Sequence, residues 1–159
     1  MAMSLIKAPL KWVQQSPIRT FLFFPAVVLA WELFIDKERL HVQPLFLILM
    51  VWGYLQYRLC GRFRKTRGGG GPGLQRPPDQ LVTTGIYAYT RNPMYLGHNI
   101  FLVGLALSLQ SWLAAIIAVT NAIWFHLRVL GDEKKLVEQF GQPYIDYRDR
   151  VKRWIPGII

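Results

Sequence analysis

The sequence has 159 residues, enough for one domain, and 52% of them are hydrophobic and 14% aromatic. A net charge of +10 indicates nucleic-acid binding in a soluble protein, but long apolar runs favour anionic lipid headgroups as the partner here. The single cysteine, Cys60, excludes an internal disulfide and a multi-cysteine zinc site, and no nucleotide-binding glycine motif follows a strand-like run. We therefore expect one integral membrane domain over residues 1–159, with no metal ion and no nucleic-acid partner.

Two apolar stretches within residues 1–60 predict a first helical hairpin. Ile18–Phe34 has the length of a membrane span, and a second span is expected from Pro44 to about Leu59. The basic residues around the end of the second span are Arg58, Arg62, Arg64, Lys65 and Arg67. Such a polybasic end is typical of the cytoplasmic side and could also contact anionic lipid, although topology alone accounts for the charges.

Residues 61–80 are predicted to form a flexible loop rich in basic residues, glycine and proline. Its central run, residues 68–73, reads Gly-Gly-Gly-Gly-Pro-Gly. A phosphate cradle is disfavoured, because no Lys-Ser/Thr pair follows the run and no clear strand precedes it. A plain linker, a hinge and a lid over a binding site remain as interpretations.

Residues 81–97 form the stretch densest in groups that can bind a ligand. It contains three tyrosines, Arg91 and Asn92, and Pro93 begins the next apolar run. Because proline is tolerated in the first turn of a helix, we expect Asn92 at the mouth of a membrane helix, beside N–H groups that suit an anion or a polar ligand. The alternative is an ordinary interfacial loop with an aromatic belt.

Two further membrane spans are predicted, over residues 94–109 and 112–130. Only Gln110–Ser111 separates them, which leaves room for a helical hairpin turn and makes the two spans antiparallel. Lysine and arginine are concentrated in the N-terminus, in residues 58–91 and in the C-terminal tail. The sequence therefore predicts about four spans with both termini in the cytoplasm.

The C-terminal tail is predicted to be an amphipathic helical segment on the cytoplasmic side. A helix over residues 131–140 is expected to begin with Asp132 and Glu133, since acids favour a helix N-terminus. A break at residues 141–143 precedes a second helix, which is expected to end at Pro156–Gly157. The residues on one face of this second helix are Tyr144, Tyr147, Arg148 and Val151. This stripe predicts packing against the membrane surface and against the tyrosine-rich stretch.

Residues of the 81–97 stretch and of the inner end of the last span could assemble into one polar site. Arg128 and Asp132 lie four residues apart on a continuing helix and share one face, and Glu133 follows directly. The residues expected to enter from the other side of the hairpin are Tyr87, Asn92 and Tyr95. Two acids, aromatic rings and an arginine suit a ligand that has a cationic centre and an amino group. A solvated salt bridge between Arg128 and Asp132 is the alternative.

Two separated motifs resemble the signature of the isoprenylcysteine carboxyl methyltransferase and phospholipid methyltransferase superfamily. The first joins residues 81–87 (Leu-Val-Thr-Thr-Gly-Ile-Tyr) to residues 91–97 (Arg-Asn-Pro-Met-Tyr-Leu-Gly). The second comprises Asp132-Glu133, Leu136, Phe140-Gly141, Tyr144, Tyr147, Val151 and Ile155-Pro156. The resemblance covers about residues 74–157. It implies an all-α integral membrane enzyme that uses S-adenosylmethionine in a cytoplasm-facing pocket formed by residues 81–159, with a lipophilic acceptor entering from the bilayer.

The resemblance also implies a role for individual residues. Its implied cofactor contacts are Leu81 and Val82 for the adenine end, Tyr87, Asn92, Pro93 and Tyr95 along the cofactor, and Asp132 and Glu133 for its polar groups. Arg128 matches the position that orients the substrate, and Asn92 lies at the position expected next to the reaction. Eukaryotic carboxyl methyltransferases have His where Asn92 stands and Glu where Asp132 stands. Asparagine does not titrate, so a general-base role is excluded at position 92.

The sequence leaves the methyl acceptor and the oligomeric state open. A carboxylate or thiolate acceptor needs no base, whereas an amine of pKa near 10 must first lose a proton. We therefore favour an isoprenylcysteine carboxyl methyltransferase-like enzyme, with a phospholipid N-methyltransferase as the alternative. A membrane adaptor would explain the basic loops but not the polar site, and a small transporter would need a second, repeat-like half.

Overall fold

The computed structural model of the protein describes residues 16–36, 42–70 and 78–155, and these residues contain no β-strand. Their α-helices are α1 (Ser16–Ile18), α2 (Phe24–Trp31), α3 (Leu47–Gly68), α4 (Pro93–Leu109), α5 (Trp112–Phe140) and α6 (Gln142–Arg150). The shorter elements are two π-helical turns, Arg19–Phe23 and Glu32–Asp36, and two 3₁₀ turns, Pro44–Phe46 and Gly85–Ala88. The described part of the chain is therefore all-helical, as the sequence predicted.

Within the described residues, two helical stretches are long and apolar enough to cross a membrane, Ser16–Phe34 and Trp112–Phe140. They correspond to the first and the fourth predicted span. Helix α4 is apolar but has 17 residues, somewhat fewer than the approximately 20 that a bilayer requires. Helix α3 has 22 residues, and its second half is basic. Length and composition thus support two of the four predicted spans.

Helix α3 is longer than predicted, because it does not end near Leu59 but continues to Gly68. Arginine and lysine are good helix formers, so the basic residues extend the helix instead of forming a loop. The helix ends where Gly69 adopts a φ of 69° and its N–H bonds to the Lys65 carbonyl. Residues 71–77, seven of the twenty residues of the predicted flexible loop, lie outside the described residues.

The expected helix start at residue 131 is wrong. Helix α5 runs without interruption from Trp112 to Phe140, so Asp132 and Glu133 lie in its interior. A single glycine inside a helix destabilises it by only about 1 kcal/mol, and here no proline interrupts the chain. The break at Gly141 is confirmed, with a φ of 60°, and α6 follows. Helix α6 ends at Arg150, before the predicted end at Pro156–Gly157, which lies outside the described residues.

The turn between α4 and α5 is the predicted two-residue connection. Gln110 has a φ of 50°, a conformation that often ends a helix. The Ser111 N–H bonds to the Ala106 carbonyl at 3.2 Å, and the Ser111 hydroxyl accepts a hydrogen bond from the Ala114 N–H at 3.2 Å. The serine therefore satisfies one backbone group at the end of α4 and another at the start of α5.

The chain divides into two compact units, each formed by separate stretches. The first takes in the described parts of Met1–Tyr54 and His98–Thr120, and we call it the apolar unit. Its buried core consists of Val28, Phe101, Leu102, Leu105 and Ala114. Inside it, a Cβ on Gly104 would lie 2.9 Å from the Met50 backbone nitrogen, so glycine permits the close approach of α3 and α4.

The second unit takes in the described parts of Leu55–Gly97 and Asn121–Ile159, and we call it the polar unit. It contains the C-terminal half of α3, the start of α4, the second half of α5 and all of α6. Every residue that the sequence singled out as a candidate for the site lies in this unit.

Candidate active site

The stretch before α4 is folded against the end of α3. Gly85 begins a 3₁₀ turn with a φ of 62°, and a Cβ at this position would lie 2.8 Å from the Phe63 ring. The Tyr87 ring stacks on Phe63 with centroids 6.4 Å apart, and its hydroxyl donates to the Cys60 carbonyl at 3.5 Å. Burial raises the pKa of Tyr87 above its usual value. Tyr87 is therefore a neutral, buried residue that fixes the loop.

The loop before α4 is joined to the C-terminal tail by hydrogen bonds, which confirms the predicted contact between these two segments. The Tyr147 hydroxyl donates to the Tyr87 carbonyl at 2.6 Å. The Arg91 backbone N–H donates to the Lys152 carbonyl at 3.0 Å. The Thr90 hydroxyl and the Asn92 side-chain amide both donate to the Arg153 carbonyl, at 3.1 Å and 3.3 Å. We call this set the loop–tail contact. It holds residues 87–92 against residues 147–153.

A buried group of three charges supports the loop–tail contact. Glu133 on α5 pairs with Arg91 at 2.9 Å and with Arg153 at 2.8 Å. Arg153 binds both carboxylate oxygens, since its Nε lies 3.1 Å from the oxygen that also faces Arg91. The same Arg91 donates to the carbonyls of Arg148 and Val151 at the end of α6. Buried charges require such pairing, so Glu133 ties the loop and the tail to α5.

Helix α6 contributes two buried tyrosines to this region, Tyr144 and Tyr147. Burial raises the pKa of Tyr144 to about 12 and also raises the pKa of Tyr147. Both rings belong to the stripe that the sequence predicted. Val151, however, follows the helix in an extended conformation and is not part of a helical face.

A second group of side chains lies between α4 and α5. The Tyr95 hydroxyl donates to Asp132 Oδ2 at 3.0 Å, and the Tyr95 ring centroid lies 4.7 Å from that of Phe125. Arg128 Nε is 3.8 Å from the same Asp132 oxygen, and its guanidinium carbon lies 5.2 Å from the centre of the Trp124 ring. The side chains of Arg128 and Asp132 are 29% and 13% exposed. We call Tyr95, Arg128 and Asp132, with the two rings, the Tyr95 group.

The predicted site residues therefore fall into two sets of contacts. Tyr87, Asn92 and Glu133 take part in the loop–tail contact and in the buried charges beneath it. Arg128 and Asp132 are brought together with the predicted Tyr95. Asn92 precedes α4 as expected, but its side-chain amide bonds to the tail.

Two further candidate residues, Val82 and Pro93, contact α3, and a third, Leu81, precedes Val82 in the chain. The Val82 side chain and the Gln80 carbonyl lie so close to Gly68 that a Cβ there would be 2.6 Å and 2.8 Å from them. Leu81 adjoins this contact in the chain and is half-buried. Pro93 is fully buried, and its carbonyl accepts a hydrogen bond from the Gln56 amide at 3.0 Å.

Sequence reasoning missed Arg153 and Trp154 altogether and treated Arg91 only as part of a polar stretch. The Trp154 indole N–H donates to His126 Nδ1 at 3.3 Å, a second link between the tail and α5. The available signal was an arginine next to a large aromatic residue in the sequence Val151-Lys152-Arg153-Trp154. An arginine in such a setting is often a partner of a buried carboxylate.

Most of these residues lie within a match to a known protein family. The model of the family described as phospholipid methyltransferase matches residues 45–142, more than half of the chain. The chain belongs to this family. The matched region of this phospholipid methyltransferase family member includes the loop, the start of α4 and both acids of α5.

Curated relatives with a stated activity are similar to about half of the chain. Protein-S-isoprenylcysteine O-methyltransferase of Schizosaccharomyces pombe is 38% identical over 80 residues, which are 49% of this chain and 34% of the relative. The enzymes of the same description from Saccharomyces cerevisiae and Homo sapiens are 38% and 33% identical, again over 49% of this chain. The match thus covers about a third of the length of these relatives.

A solved structure shows the same fold. It is that of a eukaryotic intramembrane Ras methyltransferase, isoprenylcysteine carboxyl methyltransferase, with a TM-score of 0.64 and 22% identity. The similarity covers 95% of this chain and 53% of that one. The shared fold and the two helices of membrane-spanning length indicate an integral membrane protein.

Proposed function

We propose that the protein is an integral membrane methyltransferase that moves the methyl group of S-adenosylmethionine to a lipophilic acceptor. The observation that carries the proposal is the family match over residues 45–142, which contains most of the residues that build the Tyr95 group and the loop–tail contact. The named relatives support methyl transfer to oxygen, since each is an isoprenylcysteine O-methyltransferase.

The Tyr95 group has the chemistry that a sulfonium cofactor requires. S-adenosylmethionine, when bound, supplies an electrophilic methyl group on a positively charged sulfur. Asp132 offers a carboxylate that can attract a cation and whose orientation is fixed by the Tyr95 hydroxyl, and the aromatic ring of Tyr95, packed on Phe125, lies beside it. We assign cofactor binding to Tyr95 and Asp132, with Leu81, Val82, Tyr87, Asn92 and Pro93 shaping the loop beside them.

Glu133 has a different role in this proposal. Its two oxygens already accept bonds from Arg91 and Arg153 and its side chain is buried, so the carboxylate has little capacity for another ligand. We infer that Glu133 is a positioning residue, which holds the loop and the tail in the arrangement that the cofactor needs.

Arg128 is proposed to orient the acceptor. Its 3.8 Å contact with Asp132 is longer than a close ion pair, and its side chain is partly exposed. A partly exposed guanidinium suits bidentate capture of a carboxylate or a phosphate. A carboxylate bound in this way would itself be the methyl acceptor, whereas a phosphate would orient a phospholipid whose amine is the acceptor.

The acceptor class is the second part of the proposal, and we favour a carboxylate. The curated relatives that match are O-methyltransferases. The description of the family, phospholipid methyltransferase, favours phospholipid N-methylation as the second candidate. An amine acceptor needs a base, and among the contacts described for the Tyr95 group the titratable acid is Asp132, which is already bonded to Tyr95.

The proposed topology has four spans, with both termini and the active site facing the cytoplasm. It is supported by the concentration of lysine and arginine in the N-terminus, in residues 58–91 and in the tail. In a Cys60→Ala background, we expect a cysteine at Thr66 to react with an impermeant reagent only after permeabilisation, and a cysteine at Glu38 to react from outside. The opposite pattern would rule out a cytoplasmic site.

The decisive test of the function is the transfer of a labelled methyl group. Membranes containing the protein are incubated with labelled S-adenosylmethionine, and the product is tested with base, which releases methanol from a methyl ester but leaves an N-methyl group intact. Asp132→Asn should abolish most of the labelling. Asp149→Asn, which changes an acid whose side chain is 66% exposed, is the matched control and should retain it. Equal labelling in membranes without the protein would contradict an enzymatic role.

A further inference from the structure

The second half of α3 has one exposed face that changes from apolar to basic over about three turns. Leu55 and Leu59 are 44% and 59% exposed. Arg58, Arg62 and Lys65 are also exposed, and their i, i+4, i+7 spacing places them beside the two leucines. We call these three cations the basic stripe.

The cations of the basic stripe have no acidic partner within residues 16–36, 42–70 and 78–155. The ion pairs of this part of the chain involve other residues, namely Arg91, Arg128, Arg148 and Arg153. On the same helix, Arg67 lies over the Phe63 ring at 5.6 Å, so it is engaged by the protein itself. The stripe therefore presents three charges whose donors remain available to an external anion.

The geometry of the stripe fits the boundary of a bilayer. A helix rises about 1.5 Å per residue, so Arg58 and Lys65 lie about 10 Å apart along the axis. The headgroup layer of one leaflet is about 5–8 Å thick and adjoins the hydrocarbon core. A helix that carries leucines up to position 59 and cations up to position 65 therefore suits acyl chains at one end and phosphates at the other.

We propose that the basic stripe binds the phosphates of anionic phospholipids in the leaflet at the C-terminal end of α3. The partner is a lipid because exposed leucines lie beside the cations, and acyl chains would cover them. A nucleic acid or a free anion would leave these leucines exposed to water. A second copy of the chain paired through this face by a two-fold axis would bring like charges together. The inference rests on the proposed membrane insertion but not on methyl transfer.

The proposal is tested on the full chain in nanodiscs that contain phosphatidylglycerol and phosphatidylcholine. The triple variant Arg58→Gln, Arg62→Gln, Lys65→Gln is compared with a control that removes three exposed lysines elsewhere in the polar unit: Lys134→Gln, Lys135→Gln and Lys152→Gln. Native mass spectrometry gives the ratio of the two lipids that remain bound. Each basic residue near an anionic surface contributes about fivefold. We therefore expect the stripe variant to lose at least tenfold in its preference for phosphatidylglycerol, and the control to keep it.

Three results would overturn the proposal. An equal loss in both triple variants would show that total charge alone determines the preference. Competition by inorganic phosphate as effective as that by phosphatidylglycerol would show a site for a free anion. Loss of a dimer without loss of lipid preference would show contact with a second copy. Arg58→Lys with Arg62→Lys should retain the preference, and the single variant Arg62→Gln replaces the triple variant if the latter does not fold.

Discussion

The apolar unit and the polar unit are stabilised in different ways. The core of the apolar unit is aliphatic and aromatic, with Val28, Leu102 and Ala114 fully buried. The polar unit contains all four ion pairs found among the described residues, as well as the hydroxyl bonds of Tyr87, Tyr95 and Tyr147. The free energy of burying apolar side chains does not depend on their relative orientation, whereas hydrogen bonds require particular angles as well as distances between the bonded groups. The unit that is richer in ion pairs and tyrosine hydroxyl bonds is the one that carries the proposed site.

The largest effect is expected from Arg91, which is central to the polar unit. Arg91→Met removes the ion pair to Glu133 and the bonds to the end of α6, and leaves Glu133 with one cation fewer. Removing one partner of a buried pair destabilises a protein by about 3–5 kcal/mol. We expect a large drop in the unfolding temperature and faster proteolysis of the tail.

The control for Arg91 is Arg148→Gln, at an ion pair whose side chains are 43% and 66% exposed. Such surface pairs contribute at most about 1 kcal/mol. Equal destabilisation by both substitutions would show that the buried charges do not organise the polar unit.

A smaller loss is expected in the core of the apolar unit. Leu102→Ala removes a fully buried side chain and should destabilise the protein by about 2–4 kcal/mol without lowering the affinity for S-adenosylmethionine. Val103→Ala, at a neighbouring position that is 45% exposed, should have little effect in detergent. Unfolding is followed by circular dichroism and cofactor affinity by calorimetry. A loss of affinity in Leu102→Ala at a temperature where it is folded would contradict the assignment of the site to the polar unit.

The third prediction separates the two sets of contacts within the polar unit. Tyr95→Phe removes the hydrogen bond that orients Asp132 and keeps the ring. A hydrogen bond to a charged group contributes about 1.5–3 kcal/mol, so S-adenosylmethionine should bind about ten- to hundredfold more weakly. Tyr147→Phe removes a tyrosine hydroxyl that donates to a neutral backbone carbonyl in the loop–tail contact, and it serves as the matched variant. If Tyr147→Phe alone weakened binding, the cofactor would lie at the loop–tail contact instead.

Arg128→Lys is expected to have a modest and selective effect. Lysine keeps the charge but not the planar fork that binds a carboxylate or phosphate with two bonds. The KM for the acceptor should rise about tenfold while cofactor affinity changes little. An equal loss of affinity for cofactor and acceptor would mean that Arg128 acts through Asp132, 3.8 Å away, as a structural ion pair.

The smallest effect concerns alkaline pH. Burial raises the pKa of Tyr144 to about 12, against about 10 in an unfolded chain, so the neutral form is favoured in the folded state. The resulting stability is fully present below pH 10 and is lost as the pH rises through 12. Tyr144→Phe, which cannot titrate, should lose less stability between pH 10 and 12 than the unaltered protein, as measured by chemical unfolding. Parallel losses in both proteins would assign the effect to other tyrosines.

Local signals in the sequence predicted several features of both units correctly. Pro93 marked the start of α4, Gln110–Ser111 marked the hairpin turn, and Gly141 marked the end of α5. Each depends on the backbone preference of one or two residues. The sequence predicted a separate helix from residue 131 but also placed Arg128 and Asp132 on one continuing helix. The structure has the continuing helix, because an isolated glycine is only a weak helix breaker.

The partners of the predicted site residues could be read from the sequence only in part. Arg128 and Asp132 were paired correctly because they are four residues apart on a helix. The pairing of Glu133 with Arg91 and Arg153 joins three distant segments, and no local pattern specifies it. The sequence therefore indicated residues that lie together in the polar unit, but not which of them bond to one another.

The loop–tail contact also has a consequence for the order in which the chain is made. The loop at residues 87–92 bonds to residues that are synthesised about 60 positions later, as in Tyr87 with Tyr147. At about 5–20 residues per second, the ribosome adds those positions roughly 3–12 s after the loop. During this interval Arg91 lacks its bonds to the tail. We expect the loop–tail contact to form only after residues 147–153 leave the ribosome, so a chain that stalls before residue 147 would be inserted in the membrane without this contact.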